Sequence, residues 1–388
     1  MIGHFETSIA MKHIITRRRQ TFLSIMAVAL AVSISVIFTS LVNGQQHILT
    51  GLVEEELPHV TIEPKQGDDY IHLYKSLLDG IARLPGVKSS AESLSTTATL
   101  SRKDKTKNAL MKGVNPVDID KIYKISQNML LGDFTSINQI GNAIIGQTLA
   151  DDLGVKLGDK IEATFPRATT MELTVTGIFN TGTPLDEKFA FVSLDTTRKF
   201  LDEGDVVNAI ELGLADIYQA QLLADEISSW GYNAKSWMET NPEIIRAINV
   251  GGFWTRFSVL LFMVIAFFGV ASIMNLLVVE KTKEIGMLMA MGATRSNVRN
   301  IFLVESSLLG LIGAIVGSIL GMVGVLALGK VPFEIAAGGR DITTLPLILN
   351  PWDILLLTCL AAALSVVAAV YPARNAAKLD PVLALRGG

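Results

Sequence analysis

One cysteine in 388 residues, Cys359, leaves no partner for an intrachain disulfide, so cysteine usage says nothing about compartment. Histidine is almost as sparse. His4, His13, His47, His59 and His72 show no metal-ligand spacing. The chain has no Walker A phosphate loop, no Gly-x-Ser-x-Gly nucleophile elbow and no His-Glu-x-x-His zinc signature. These absences exclude the common routes to nucleotide hydrolysis, acyl transfer and metalloproteolysis, and no catalytic residue, cofactor or metal ligand is expected here. Paired acids such as Asp68-Asp69 and Asp151-Asp152 read as solvated loop or helix-end charges.

The most telling absence is of charge. Gln20–Leu52, Phe257–Val279, Ser306–Gly329 and Ile354–Ala373 contain no Asp, Glu, Lys or Arg over the roughly 20 residues that a bilayer crossing needs. Mean hydropathy is +0.42 and 49% of residues are hydrophobic, yet half the chain is polar. A membrane protein with a large water-exposed part fits both facts. The first run is too long for a signal-peptide core and no small-x-small cleavage site follows it, so it reads as a retained anchor.

Short-loop charge sets the orientation. Lys12 and Arg17–Arg19 precede the first span. Lys281, Lys283, Arg295 and Arg299 lie in the 280–300 loop, and Arg374, Lys378 and Arg386 in the tail. The 330–353 loop holds only Lys330 and Arg340. The positive-inside rule then places both termini and the 280–300 loop in the cytoplasm of a multi-pass inner-membrane protein. The expected fold class is four transmembrane α-helices with a large extracytoplasmic α+β domain between the first and second. The expected boundaries are a cytoplasmic amphipathic lead-in helix at 1–20 (Phe5, Ile9, Lys12, His13), spans at 21–43, 253–279, 301–329 and 353–373, an outer domain at 44–252, a coupling loop at 280–300, an outer loop at 330–352 and a tail at 374–388. Trp254 and Trp352 sit where outer aromatic belts belong. Residues 43–256 carry 29 Asp+Glu against 20 Lys+Arg, an acidic balance that argues against a nucleic-acid partner.

Within the outer segment, His59–Pro64, Lys88–Leu100 and a run ending at Val114 read as strands, and Ile71–Leu84 as a helix stopped by Pro85-Gly86. A second strand–helix–strand unit follows at Asn208–Leu214, Ile217–Trp230 and Asn233–Trp237. Two such units separated by a β-rich insertion, about 130–205, suggest a split ferredoxin-like domain. In the insertion, Lys160–Phe165 and Met171–Asn180 alternate around a short Pro166–Thr170 turn, which predicts a hairpin.

Two motifs lie between the later spans. In the loop, Ile285, Leu288, Met289 and Gly292 follow i, i+3, i+4, i+7 spacing, giving a short helix with one apolar or flat face. Thr282 can cap its start and Gly292 can end it, with Lys281, Lys283 and Glu284 on the wet side. Such a helix is either a knob for a groove on a soluble partner or a re-entry turn resting on lipid. In the third span, Gly310, Gly313, Gly317, Gly321 and Gly324 stay within about an 80° arc, which lets another helix, in this chain or a second copy, approach closely. Glu305 could mark an ion path if buried, but at the cytoplasmic edge of the third span it reads as a carboxylate that snorkels to the interface.

Glu280-Lys-Thr-Lys-Glu-Ile-Gly-Met-Leu-Met-Ala-Met-Gly-Ala293, with Glu305 and the glycine-rich span, resembles the ABC-transporter permeases of the MacB/FtsX/lipoprotein-releasing superfamily. Arg17-Arg-Arg-Gln-Thr-Phe-Leu-Ser24, Ile145-Gly-x-x-Leu-Ala-x-x-Leu-Gly-Val-x-x-Gly-Asp159, Thr176-Gly-Ile-Phe179, Asp186 before Phe189-Ala-Phe-Val192, and the tail Tyr371–Leu385 carry the same likeness. Ser236-Trp237 leading through Arg246-Ala-Ile is most similar to the lipoprotein-releasing type. One permease of that pair extends a chaperone-recruiting hairpin where this chain has only the short 166–170 turn.

The resemblance implies a permease subunit without catalytic residues, driven by a separate cytoplasmic ATPase dimer that binds ATP and Mg. It implies that Glu280, Lys281, Glu284, Ile285, Gly286, Leu288, Met289 and Gly292 couple to that ATPase, and that a second permease copy or paralogue completes the assembly. The outer domain would then move a lipid, lipidated or other envelope substrate by mechanotransmission. Substrate access is expected near Asn43–Leu52 and Gly251–Phe257, with Leu49, Phe253 and Trp254 as apolar contacts. An FtsX-like regulator of an extracytoplasmic cell-wall hydrolase is the alternative, and a membrane receptor without an ATPase a third possibility.

Overall fold

A computed structural model describes residue 11 and residues 18–164, 170–337 and 340–380. Most of the lead-in segment, the 166–169 part of the turn and the tail from 381 lie outside the described residues. In chain order come α1 (Arg18–Glu56), β1 (Val60–Glu63), α2 (Tyr74–Ile81), β2 (Val87–Arg102), β3 (Lys105–Val114), α3 (Pro116–Tyr123), β4 (Met129–Gly132), β5 (Asn142–Gly146) and α4 (Gln147–Leu153). Next are β6 (Lys160–Thr164), β7 (Met171–Phe179), β8 (Phe189–Ser193), α5 (Leu194–Leu201), β9 (Ala209–Leu214), α6 (Ala220–Ser229) and β10 (Asn233–Ser236). The chain continues with α7 (Pro242–Glu280), α8 (Thr282–Ala290), α9 (Arg295–Leu328), β11 (Pro332–Ala337), β12 (Arg340–Thr344) and α10 (Pro351–Ala376). Two compact units result, a helical one drawn from Met1–His47, Ile248–Phe333 and Thr343–Gly388, and an α+β one from Ile48–Ala247 and Glu334–Ile342.

In the helical unit, α1, α7, α9 and α10 are long and apolar enough to cross a membrane. Local sequence sets their starts. Thr294 and Asn297 form a reciprocal capping box for α9, and Asn350 caps α10 with Pro351 in its first turn. α1 and α7 each have 39 residues. Such a helix is about 58 Å long, well beyond the ~30 Å of a hydrocarbon core. Inward-facing Val28, Val32, Met274, Phe302, Ala314 and Ala368 belong to one shared cluster.

The glycine stripe of α9 is absorbed within this chain. A Cβ on Gly317 would meet the Ala29 carbonyl oxygen at 2.6 Å and the Ala29 Cα at 2.8 Å, and Gly313 and Gly321 sit as tightly against Val28 and Val36 of α1. Gly324 faces the tip of Ile37, 2.9 Å from the same construction, whereas Gly310 lies against Ser365 of α10. The stripe is the seat of α1, and a second copy need not cover it. Glu305 departs from the sequence expectation. It is 3% exposed, because it shares the inward face of α9 with Phe302 and Leu309, both also buried.

The α+β unit carries a ten-stranded sheet with the order β10-β1-β9-β2-β3-β8-β5-β7-β4, in which β6 pairs with both β2 and β7, and β11 and β12 pair separately. Its first four members pair antiparallel throughout. β1–α2–β2 and β9–α6–β10 therefore interleave as split strand–helix–strand units. The intervening segment extends the sheet from β2 through β3, which pairs parallel to β8. Strands β6 and β7 pair antiparallel from Lys160↔Thr174 to Ala163↔Met171.

Close packing at the stripe makes a graded prediction. Gly317→Ala drives a methyl into α1 backbone and should cost about 1–3 kcal/mol by overpacking. Gly324→Ala meets only the flexible end of Ile37 and should cost less. Thermal unfolding of the purified protein in detergent checks the order; equal costs would mean that α1 does not seat on the stripe.

Candidate coupling and substrate-access sites

Helix α8 is stopped as its sequence predicts. Gly292 has a left-handed φ of +101°, and the Ala293 N–H reaches the Leu288 carbonyl at 3.0 Å while Gly292 N–H reaches that of Met289 at 3.1 Å. This is a Schellman closure, which favours glycine at that position. The start differs from expectation. Thr282 does not cap α8; its hydroxyl turns back to the Val278 and Val279 carbonyls at 3.1 and 2.8 Å.

The candidate coupling residues divide between two faces. Ile285 (3% exposed) and Gly286 are buried, Ile285 within the cluster that includes Leu277, Val298 and Ala376, and half-buried Met289 packs against it. Leu288 is also half-buried. The predicted apolar face thus rests on the chain's own helices. Lys281 is a correction too: it is 4% exposed, and its ammonium donates to Glu284 at 3.1 Å. Its stem is buried and the half-exposed carboxylate one turn away pairs its charge. Lys283, Glu284, Met287, Ala290, Met291 and Gly292 remain exposed. Glu280 accepts a hydrogen bond from Gln20 at 2.6 Å, joining the last turn of α7 to the start of α1.

Of the access residues, Phe253 and Trp254 are exposed and form a ring cluster with Phe257, centroids 5.8–6.3 Å apart. Near them Gln46 of α1 donates to the Ile248 carbonyl at 3.4 Å. Leu49 is half-buried on α1, which stays helical through Asn43–Leu52.

Sequence reasoning missed His59. In the α+β unit its Nδ1 accepts the Leu214 N–H at 2.7 Å, so the ring proton is on Nε2, which donates to the Val53 carbonyl at 3.1 Å. Its own backbone N–H donates to Leu212 at 2.8 Å, and its carbonyl accepts from Trp237 at 2.9 Å. One side chain therefore pins the last turn of α1 to β9, while its backbone holds the segment that leads to α7. Val53 and Leu57 share a hydrophobic cluster with Val60, Leu212, Trp237, Ile244 and Ile245, so the ends of both long helices are rooted in one core. The signal for His59 was absent from the sequence because its partner Leu214 is 155 residues away.

A second unforeseen group is Lys112 of β3, buried with Glu211 of β9 and donating to the Tyr123 hydroxyl at 2.9 Å. Burial, with the Glu211 carboxylate nearby, pushes the Tyr123 phenol well above its ordinary pKa. The pair fastens the inserted strands to the split units, and removing one partner of such a pair costs about 3–5 kcal/mol.

Two family models match: the FtsX-like permease C-terminal model over residues 256–381 and the MacB-like periplasmic core domain over residues 21–229. The chain is similar to the lipoprotein-releasing system transmembrane protein LolC of Xylella fastidiosa, 25% identical over 100% of both chains. LolE of Haemophilus influenzae is 26% identical over 93% of each. The macrolide export ATP-binding/permease protein MacB of Campylobacter jejuni is 38% identical, over 32% of this chain and 18% of that one. Among solved structures, the periplasmic region of MacB from Actinobacillus actinomycetemcomitans aligns with 52% of this chain and 98% of its own at 13% identity and a TM-score of 0.36.

Burial lowers the His59 pKa, against the opposing pull of the Val53 and Glu54 carbonyls and the Glu54 charge. As pH falls, the unfolded chain takes up its proton first, near pH about 6.5. Stability is full above that pH and is lost as pH falls toward the lower folded-state value. His59→Asn removes this titration. From pH about 7.5 to about 5.5 the wild-type Tm should fall more steeply than that of His59→Asn, and parallel profiles would show that His59 is not the linked group.

Proposed function

The chain belongs to the FtsX-like permease family, with a MacB-like periplasmic core domain, and is an ABC-transporter permease; from that premise we propose that it turns ATP hydrolysis by a separate subunit into motion of its α+β domain. The observation that carries this reading is the rooting of α1 and α7. Both helices run unbroken for 39 residues, and Val53, Leu57, Ile244 and Ile245 at their far ends lie in one hydrophobic cluster of the sheet. Close-packed cores have low compressibility and transmit displacement. A shift of either helix is then felt by β1 and β9, which carry Val60 and Leu212 in the same cluster.

At the other end, α8 is the input. Its buried Ile285 transfers force into the helical cluster, and its exposed face offers Lys283, Glu284, Met287 and Met291 to the ATPase. Glu280, Gly286, Leu288 and Gly292 shape and hold the helix. A second permease copy or paralogue supplies the matching contact for the other half of an ATPase dimer, and ATP and Mg belong to that dimer. The N-in orientation follows from the distribution of Lys and Arg. The named activity of the LolC and LolE relatives supports a lipid-anchored substrate, taken up where Phe253, Trp254 and Leu49 offer apolar contact.

Two experiments test this. Met287→Asp with Met291→Asp leaves the core of α8 untouched and should abolish permease-stimulated ATP turnover while membrane insertion persists. Ile285→Asp should instead destabilise the permease itself, since it places a charge at a 3%-exposed position. Wild-type stimulation in the Met double variant would remove α8 as the docking element. Photo-crosslinkers at Leu49, Phe253 and Trp254 should capture a lipid or lipidated protein in an ATP-dependent way. Capture only at Phe22, near the other end of α1, would mean that the substrate crosses the membrane.

A further inference from the structure

Residues 345–350, just before α10, form a strap against α1. The Ile348 N–H donates to the Ser40 carbonyl at 3.0 Å, Asn43 Nδ2 donates to Asp353 Oδ2 at 2.7 Å, and Gly44 lies so close under the Pro346 carbonyl that no Cβ could fit. Beside these contacts is a cavity of about 10 Å³, lined by Thr39, Ser40, Asn43 and Asp353 among apolar atoms of Val36 and Leu357. Thr39 is 8% and Ser40 2% exposed, and neither hydroxyl has a hydrogen-bond partner among the described residues.

Buried hydroxyls in folded proteins are paired with protein or with ordered water, because an unmet one carries its full desolvation cost. A cavity of this volume holds about one water, provided that two to four polar partners surround it. We propose that the cavity is a binding site for a single water, which accepts from the Thr39 and Ser40 hydroxyls and donates to the Asp353 carboxylate and the Asn43 side-chain oxygen. The match is complete: two donors meet two lone pairs, and two acceptors meet two protons. A monovalent cation suits the site less well, since it cannot accept the hydroxyl protons. The water ties α1 to the first turn of α10, beside the direct Ile348–Ser40 bond of the strap. Such a hydrated joint can part with bulk water taking over each hydrogen bond, whereas the glycine-lined seam between α1 and α9 cannot. Against α1, the contact with α9 is therefore firm and the contact with α10 releasable.

The full-length protein in lipid nanodiscs provides the test. A cryo-EM map fine enough to show ordered water should carry a peak within hydrogen-bond distance of Thr39 Oγ1 and Ser40 Oγ. Independently, Thr39→Val with Ser40→Ala should lower the Tm, because the water loses two donors; Thr39→Val alone, nearly isosteric, serves if the double variant does not fold. An unchanged or raised Tm means that the hydroxyls were simply unpaired and overturns the proposal. The wild-type Tm should be the same in sodium, potassium and choline chloride, and a rise confined to sodium or potassium would assign the cavity to a cation instead.

Discussion

Inside hydrocarbon no water is available to backbone N–H and C=O groups, so each must be paired within its own helix. That constraint fixes the four spans as continuous helices, and it leaves side-chain size to decide how closely they approach. Here the answer is given by glycine: Gly313, Gly317 and Gly321 bring the backbone of α9 against Val28, Ala29 and Val36 of α1. With no hydrophobic drive between apolar helices in lipid, such close contact is what holds them. A helix seated so tightly cannot bend locally without losing that contact.

Two of the four helices then continue past any hydrocarbon thickness. α1 runs to Glu56 and α7 begins at Pro242, and both end in the core that contains Trp237. His59 adds direction to this rooting, since its neutral ring bridges the Val53 carbonyl and the Leu214 N–H. At the opposite end, Ile285 sits in the helical cluster as the hydrophobic foot of α8. In the proposed mechanism α8 is the input, α1 and α7 are the shafts, and the sheet receives their motion. The buried Lys112–Glu211 pair joins β3 to β9 across β2 within the sheet.

Periodicity and charge absence are local properties, and what depended on them was legible in the sequence. The spans, the Gly292 stop of α8 and the strand–helix–strand units at 60–102 and 209–236 follow from spacing and turn residues. What a face packs against is not local. The stripe of Ile285, Leu288 and Met289 was visible, but its inward direction was not, because spacing shows that a face is apolar and not what covers it. Lys281 and Glu305 were placed near water for the same reason; both lie in folds of the helical unit where neighbours from other helices exclude it. The insertion of β6 between β2 and β7, and the pairing of Lys112 with Glu211 across 99 residues, are long-range choices that no window of sequence contains.

The claim that helix displacement drives the α+β domain is tested most directly by breaking the shafts. A Gly-Gly-Ser insertion after His47 and another after Ala247 interrupt α1 and α7 at the boundary between the two units while leaving α8 intact. Hydrogen–deuterium exchange would be followed at residues 53–59 and 237–245 in the assembled complex with its ATPase. The account predicts that ATP changes exchange at both segments in the uninterrupted protein, and that the insertions abolish this change while ATP turnover continues. An ATP-dependent change that survives the insertions, or none in the uninterrupted protein, would contradict it.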